Sequence, residues 1–128
     1  CWTTTQGQTM NNTTGTEEGA FNGPRGVWAD ETYVYVSDTV NNRIVRINAA
    51  TGVFAGWKGA ISSIAGMSDA DCIAAGVGGV TPKWCYGGAS RAGLQLGAFD
   101  YPTGMFGDAN YLYVHDGRNN RLQTIPKN

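Results

Sequence analysis

The sequence predicts an all-β protein assembled from similar antiparallel units of about four short strands, and three observations carry that prediction. A segment returns: GAFNGPRGVWADETYVYVSDTVNNRIVRI, Gly19 to Ile47, recurs as GAFDYPTGMFGDANYLYVHDGRNNRLQTI, Gly97 to Ile125, without a gap and with 14 identities in 29 positions. Unrelated segments of ordinary composition share about two such positions, so like units stacked on one another are the expected architecture. The 128 residues include 19 glycines and much Thr, Asn and Ser, with few Glu and Lys. That composition favours strands and turns over helix. Within the repeat, runs of β-branched and aromatic residues are cut by turn residues every few positions.

Taken in order, residues 1–18 (CWTTTQGQTMNNTTGTEE) are polar, turn-rich and aperiodic, and read as a connecting segment. The first unit spans 19–58. Pro24 and Gly26 lead into a strand at Val27–Ala29, and Tyr33–Ser37 follows with large apolar residues on both faces, the pattern of a strand between two layers. Thr39–Asn42 is a turn, Arg43–Asn48 the returning strand, Ala49–Gly52 a second turn, and Val53–Trp57 a fourth strand. The second unit, 97–128, repeats three of these strands and lacks the fourth.

Between them lies an insertion, 59–96. Ser68 reads as a helix N-cap, Asp69 and Asp71 as acidic first-turn residues and Gly76 as the stop, so one or two helical turns are expected. Cys72 and Cys85 bracket a Gly/Ala-rich stretch and read as a disulfide of an oxidising compartment. Closing that loop is worth roughly 3 kcal/mol. The third cysteine, Cys1, sits ahead of its repeat much as Cys85 sits ahead of the second. Its partner is then expected upstream, in a longer chain; the alternative is a lipid-modified terminal cysteine. A start at Cys1, without methionine, is read as that of a mature or excised product.

Nine basic and ten acidic residues give a net charge of −1 with the arginines scattered, which disfavours nucleic acid as a partner. No run of eighteen apolar residues exists to span a membrane. Two units are few for a stack, since each exposes an apolar face that only a neighbour can cover. A homo-oligomer or a fragment of a larger chain is therefore expected.

The pattern Gly19, Phe21, Pro24, Gly26, Tyr35, Val36, Asp38, Asn41, Asn42, Arg43, Ile44 resembles the NHL repeat. It recurs as Gly97, Phe99, Pro102, Gly104, Tyr113, Val114, Asp116, Asn119, Asn120, Arg121, Leu122. The resemblance implies propeller-type blades of four antiparallel strands, about two of them here with the second incomplete, and a disulfide-closed loop insertion between. Long disulfide-bearing insertions resemble those of secreted bacterial NHL-repeat proteins.

Asp38, Asn42 and Arg43, with Asp116, Asn120 and Arg121, form a turn in which a carboxylate can accept backbone N–H groups and pair with arginine. Recurrence at the same repeat position marks it as structural. His115 is the only histidine and reads as a strand residue. Asp69-Ala70-Asp71 lacks the further acidic ligands that calcium needs, and Gly76–Gly79 lacks the setting of a phosphate loop. No catalytic residue, metal or cofactor is predicted. The pairs Trp28/Phe106, Tyr33/Tyr111 and Tyr35/Tyr113 are assigned to packing between units. Trp2, Trp84 and Tyr86, beside cysteines and outside the repeats, are the expected exposed contact residues. Asn11 and Asn12 begin two overlapping N-x-T acceptor sites.

The function expected from all this is that of a non-catalytic, extracellular interaction module or scaffold, bound to a protein partner or to further copies of itself. Self-assembly into a ring or filament is the alternative, with residues 1–18 of one copy supplying the strand missing from the next. A fragment of a metal-dependent lyase or hydrolase is a third reading, and it would need ligands from outside this chain.

Overall fold

A computed structural model describes residues 20–128; the expectations for residues 1–18, Cys1 and Trp2 included, lie outside the described residues. The elements run β1 (Gly26–Ala29), β2 (Tyr33–Asp38), β3 (Arg43–Asn48), β4 (Phe54–Ser63), α1 (Ala70–Ala75), β5 (Ala89–Arg91), β6 (Pro102–Gly107), β7 (Tyr111–Asp116) and β8 (Arg121–Pro126). They form two antiparallel sheets, one in the order β1-β2-β3-β4-β5 and one in the order β6-β7-β8. The all-β expectation holds: among the described residues the helical elements are the six-residue α1 and one 3-10 turn, Gly117–Asn119.

The first sheet has five strands where the sequence predicted four. The predicted strand Val53–Trp57 continues to Ser63 because Lys58, Gly59, Ala60 and Ile61 are buried along it. β5, from within the insertion, then pairs with its far half. The helix forms where expected and ends at Gly76, but its cap is Asp69 and not Ser68. The Asp69 carboxylate accepts from the N–H groups of Asp71 and Cys72 at 3.0 and 3.3 Å. An aspartate oxygen at the N-cap satisfies two otherwise unbonded donors of the first turn.

β2 and β3 carry apolar side chains on both faces, and each face has its own cluster. On one side Val34, Val36, Val45 and Ile47 pack with Trp57, Ile61, Met67, Cys72 and Cys85. This cluster is closed by the insertion, whose Cys72–Cys85 disulfide joins Cα atoms 6.0 Å apart. Cys85 is also bonded backbone to backbone with Trp57, and the Trp57 indole donates to Gly87 O at 2.8 Å. On the other side Trp28, Tyr33, Tyr35 and Ile44 meet Met105, Leu112, Val114 and Ile125 of the second sheet, with Phe99 and Trp84 beside them. Burying several large aromatic and aliphatic side chains there, at roughly 1.5–3 kcal/mol each, joins the two sheets into one unit.

The sheets come closest where β1 meets β6. A Cβ at Gly26 would collide with the Thr103 carbonyl, whereas its repeat equivalent Gly104 has nothing within 4 Å. Gly26→Ala is therefore expected to lower the stability of the folded chain by about 2 kcal/mol or more, through forced separation of the sheets. Gly104→Ala should stay within about 0.5 kcal/mol of the parent. Paired urea unfolding curves check both.

Candidate functional site

The two Asp-Asn-Arg turns have nearly the same internal bonding. Asp38 Oδ1 accepts Asn22 N–H at 2.7 Å, and its Oδ2 accepts Asn41 Nδ2 at 2.9 Å and Arg43 Nε at 2.7 Å. Asp116 Oδ1 accepts Asp100 N–H at 2.7 Å, and its Oδ2 accepts Asn119 Nδ2 and Arg121 Nε, both at 2.9 Å. Arg43 reaches back to Ala20 O and Arg121 to Ala98 O, each at 3.0 Å. Each arginine thus ties the strand turn to the segment leading into its unit. The carboxylates are wholly buried, and each is held by a backbone N–H, an asparagine amide and an arginine.

Asn42 and Asn120 take left-handed backbone conformations, φ 54° and 50°, which asparagine tolerates better than most residues. The side chain that bonds the aspartate is that of the preceding residue, Asn41 or Asn119. Asn42 serves differently, its Oδ1 accepting Tyr101 N–H at 2.7 Å and so joining the first turn to the second unit. Tyr101 itself holds φ 61°, and the guanidinium groups of Arg25 and Arg118 lie over its ring, 5.0 and 4.4 Å from its centre.

Trp84 is not an exposed contact residue. It is buried, 5.7 Å from the Tyr35 ring centre, and its indole N–H donates to Lys127 O at 2.7 Å. The reason is positional. The insertion returns along β4 through Cys85 and Trp57, which delivers Trp84 into the gap between the sheets. Tyr86 is exposed and sits edge-on to Phe54 at 5.8 Å. His115 lies at the surface with Nδ1 2.8 Å from Thr103 Oγ1. Asp69 and Asp71 both pair with Lys83 Nζ, at 3.1 and 2.8 Å. Among the described residues no three His, Cys, Asp or Glu side chains form a group that would hold a metal ion.

The arrangement that points outward is the free face of the second sheet. Adding 78 to Trp28, Tyr33, Tyr35 and Ile44 gives Phe106, Tyr111, Tyr113 and Leu122. The first set lies against the second sheet, with Tyr35 and Ile44 at 1% and 0% exposure. In the second set Phe106 is 56%, Tyr111 44% and Leu122 60% exposed. The sequence assigned both sets to packing between units; that holds for the first and fails for the second, because among the described residues no further sheet lies on it. Phe106 and Tyr113 stack on one another at 4.8 Å instead.

A second feature lies beside β8. A groove of about 290 Å³ runs between Thr124, Ile125 and Pro126 of that strand, with Asn128 beyond it, and Val80–Pro82 and Leu96 of the insertion with the adjoining Gly97; Lys58 is at its wall. Lys58 is 7% exposed and donates to Pro126 O at 2.8 Å. It forms no ion pair among the described residues. The cationic Arg46 lies nearby, and both cations lie over the Trp84 ring. Neither Lys58 nor the groove was singled out from sequence; a lone lysine within an apolar run, FAGWKGAI, was the available signal.

Burial, and then the charge of Arg46, pull the Lys58 ammonium down to about 8. An unfolded lysine titrates near 10.5, so between pH 8 and 10.5 the unfolded chain binds more protons and stability rises with pH. Tyr35 acts oppositely above about pH 10, because burial and the nearby Asp30 charge raise its phenol. The midpoint of urea unfolding is therefore expected to climb between about pH 7.5 and 9.5, by roughly 1–2 kcal/mol. Lys58→Met should flatten that slope, which unfolding curves across the pH series would read.

No protein-family model matches this chain, and no curated protein matches it. Among the described residues no helix is long and apolar enough to cross a membrane.

Proposed function

We propose that this chain is a non-catalytic NHL-type repeat module of an exported protein, whose two sheets are propeller-type blades and whose task is interaction. One observation carries the reading: a face of the repeat that is buried in the first unit is presented open in the second. Phe106, Tyr111, Tyr113 and Leu122 keep the aromatic and aliphatic character of Trp28, Tyr33, Tyr35 and Ile44 without a covering sheet among the described residues. Exposed patches of this kind mark interaction surfaces. The repeat also supplies the chemistry of what would cover it, an antiparallel sheet with an aliphatic face like that of Met105, Leu112, Val114 and Ile125. The disulfide supports export, since such bonds persist in oxidising compartments.

The reading is tested on the full chain by light scattering across a dilution series. Phe106→Asp and Leu122→Asp are expected to suppress association while leaving the unfolding midpoint within about 0.5 kcal/mol, as surface changes do. Association unchanged in both variants would refute the face as an interaction surface. So would loss of folding in both, since it would show the face to be part of the core.

A further inference from the structure

Where the two units meet at the surface, the second departs from the repeat at three neighbouring positions. Asn22, Gly23 and Val40 of the first unit become Asp100, Tyr101 and Arg118. The backbone does not change with them: Val40 N–H donates to Asn22 O and Arg118 N–H to Asp100 O, both at 3.0 Å. Gly23 and Tyr101 hold nearly the same left-handed conformation, φ 57° and 61°. Glycine takes that conformation readily, whereas the Cβ of any other residue crowds the following carbonyl.

The bonds that fix Tyr101 in this conformation are made by its backbone. Its N–H donates to Asn42 Oδ1 at 2.7 Å, and its carbonyl accepts from Gly117 N–H at 3.2 Å. A glycine at 101 could make both. The strained position thus carries a side chain that the local fold does not require, and strain of this kind gathers at ligand clamps and other functional sites.

What the side chain gathers is positive charge. The Arg25 and Arg118 guanidinium groups lie over its ring, and Arg25 Nη2 donates to the phenol oxygen at 2.9 Å. Arg25 belongs to the first unit and Arg118 to the second, so the ring draws together two like charges that repel one another. Little in the fold neutralises them. Arg25 has no ion pair among the described residues, and Arg118 reaches only Asp100 Oδ1, at 3.7 Å, too far for a hydrogen bond. Both arginines are exposed. Two guanidinium groups against one carboxylate leave one positive charge unanswered in the cluster.

We propose that Arg25, Tyr101 and Arg118 form a binding site for a singly charged oxyanion, the carboxylate or sulfate ester of a partner molecule. A guanidinium presents paired N–H donors in one plane, which match two oxygens of such a group. A phosphate monoester, with nearly two negative charges, exceeds the charge the cluster leaves unanswered. Phe106, Tyr111, Tyr113 and Leu122 take no part in the cluster, so this site and the open face of the second sheet stand or fall separately.

The test is a titration of the full chain with sodium acetate and with sodium methyl sulfate, ionic strength being held constant with sodium chloride. NMR follows the Tyr101 ring protons and the two arginine Nε–H groups. Saturable shifts at all three are expected with at least one anion, acetate pointing to a carboxylate-bearing partner and methyl sulfate to a sulfated one. Arg25→Gln and Arg118→Gln should each weaken that binding by about three- to fivefold, the worth of one exposed charge interaction. Tyr101→Gly should weaken it too, and should raise the midpoint of urea unfolding by removing the strained side chain. If Tyr101→Gly fails to fold, the arginine variants decide. Shifts that stay linear with both anions, or that chloride alone produces, overturn the proposal. So does an affinity unchanged in both arginine variants. A Tyr101→Gly chain that unfolds at lower urea and keeps the affinity overturns it as well, since the ring is then only a staple between the units.

Discussion

The structure depends on one contact, the aromatic face of the first sheet laid on the aliphatic face of the second. Trp28, Tyr33, Tyr35 and Ile44 supply one side, and Met105, Leu112, Val114 and Ile125 the other. Because the units are repeats, these are different faces of the same element, so the contact is head-to-tail and does not satisfy itself with two members. One aliphatic and one aromatic face are left over. The aliphatic one, on the first sheet, is closed by Met67, Cys72, Cys85 and Trp57. The aromatic one, on the second, has no such cover among the described residues. The insertion can thus be understood as a cap on the aliphatic face of the first sheet, with its disulfide holding closed a segment that has few apolar side chains of its own.

The face can be presented so regularly because the turn beneath it is fixed by ions in the interior. A carboxylate with no solvent access is costly unless it is paired and hydrogen-bonded. Asp38 and Asp116 meet this with a backbone N–H, an asparagine amide and an arginine Nε apiece. The second turn goes further. Gln123 replaces Val45 and donates to Asp116 Oδ2 at 3.1 Å, while its Oε1 accepts Gly97 N–H at 2.9 Å. Arg121 adds the carbonyls of Leu94 and Gln95. The end of the insertion is thereby tied to the second unit by polar bonds, where the first unit uses apolar packing.

The sequence made legible whatever is local or repeated. The strands of both units, the turns, Gly76 as helix stop and the pairing of Cys72 with Cys85 all follow from spacing and residue type. What it did not show depends on which surfaces meet. Trp84, beside a cysteine and outside the repeat, looked exposed; only the return of the chain along β4 places it between Tyr35, Arg46 and Lys58. Likewise Phe106 and Trp28 are equivalent by sequence and opposite by environment, since a repeat pattern states what a face is made for and not whether a neighbour is present. The extension of β4 to Ser63 escaped notice for a similar reason. Gly59, Ala60 and the serines after them have weak strand preference, and burial against the insertion overrides it.

The two units also part company at their exits, and the substitutions there belong together. Asn48-Ala49 in the first unit becomes Pro126-Lys127 in the second. Asn48 caps a turn, its side chain accepting from the N–H groups of Ala50 and Thr51 and its own N–H closing the hairpin. Pro126 can do none of this, and Lys127 converts the exit into a latch on the first sheet. Asp30 receives the lysine, and its carboxyl is held down at about 2: burial alone would raise it, but the Lys127 bond and the N–H groups of Tyr33 and Thr32 prevail. Lys58 and Arg46 fasten to the carbonyls of Pro126 and Lys127 from the other side. A buried lysine bonded to carbonyls and set beside another cation is a poor way to gain stability, as the direction of its titration shows. What it does hold is the exit: together with Arg46 it fixes the carbonyls of Pro126 and Lys127 against the first sheet, so that the chain leaves β8 toward the interior.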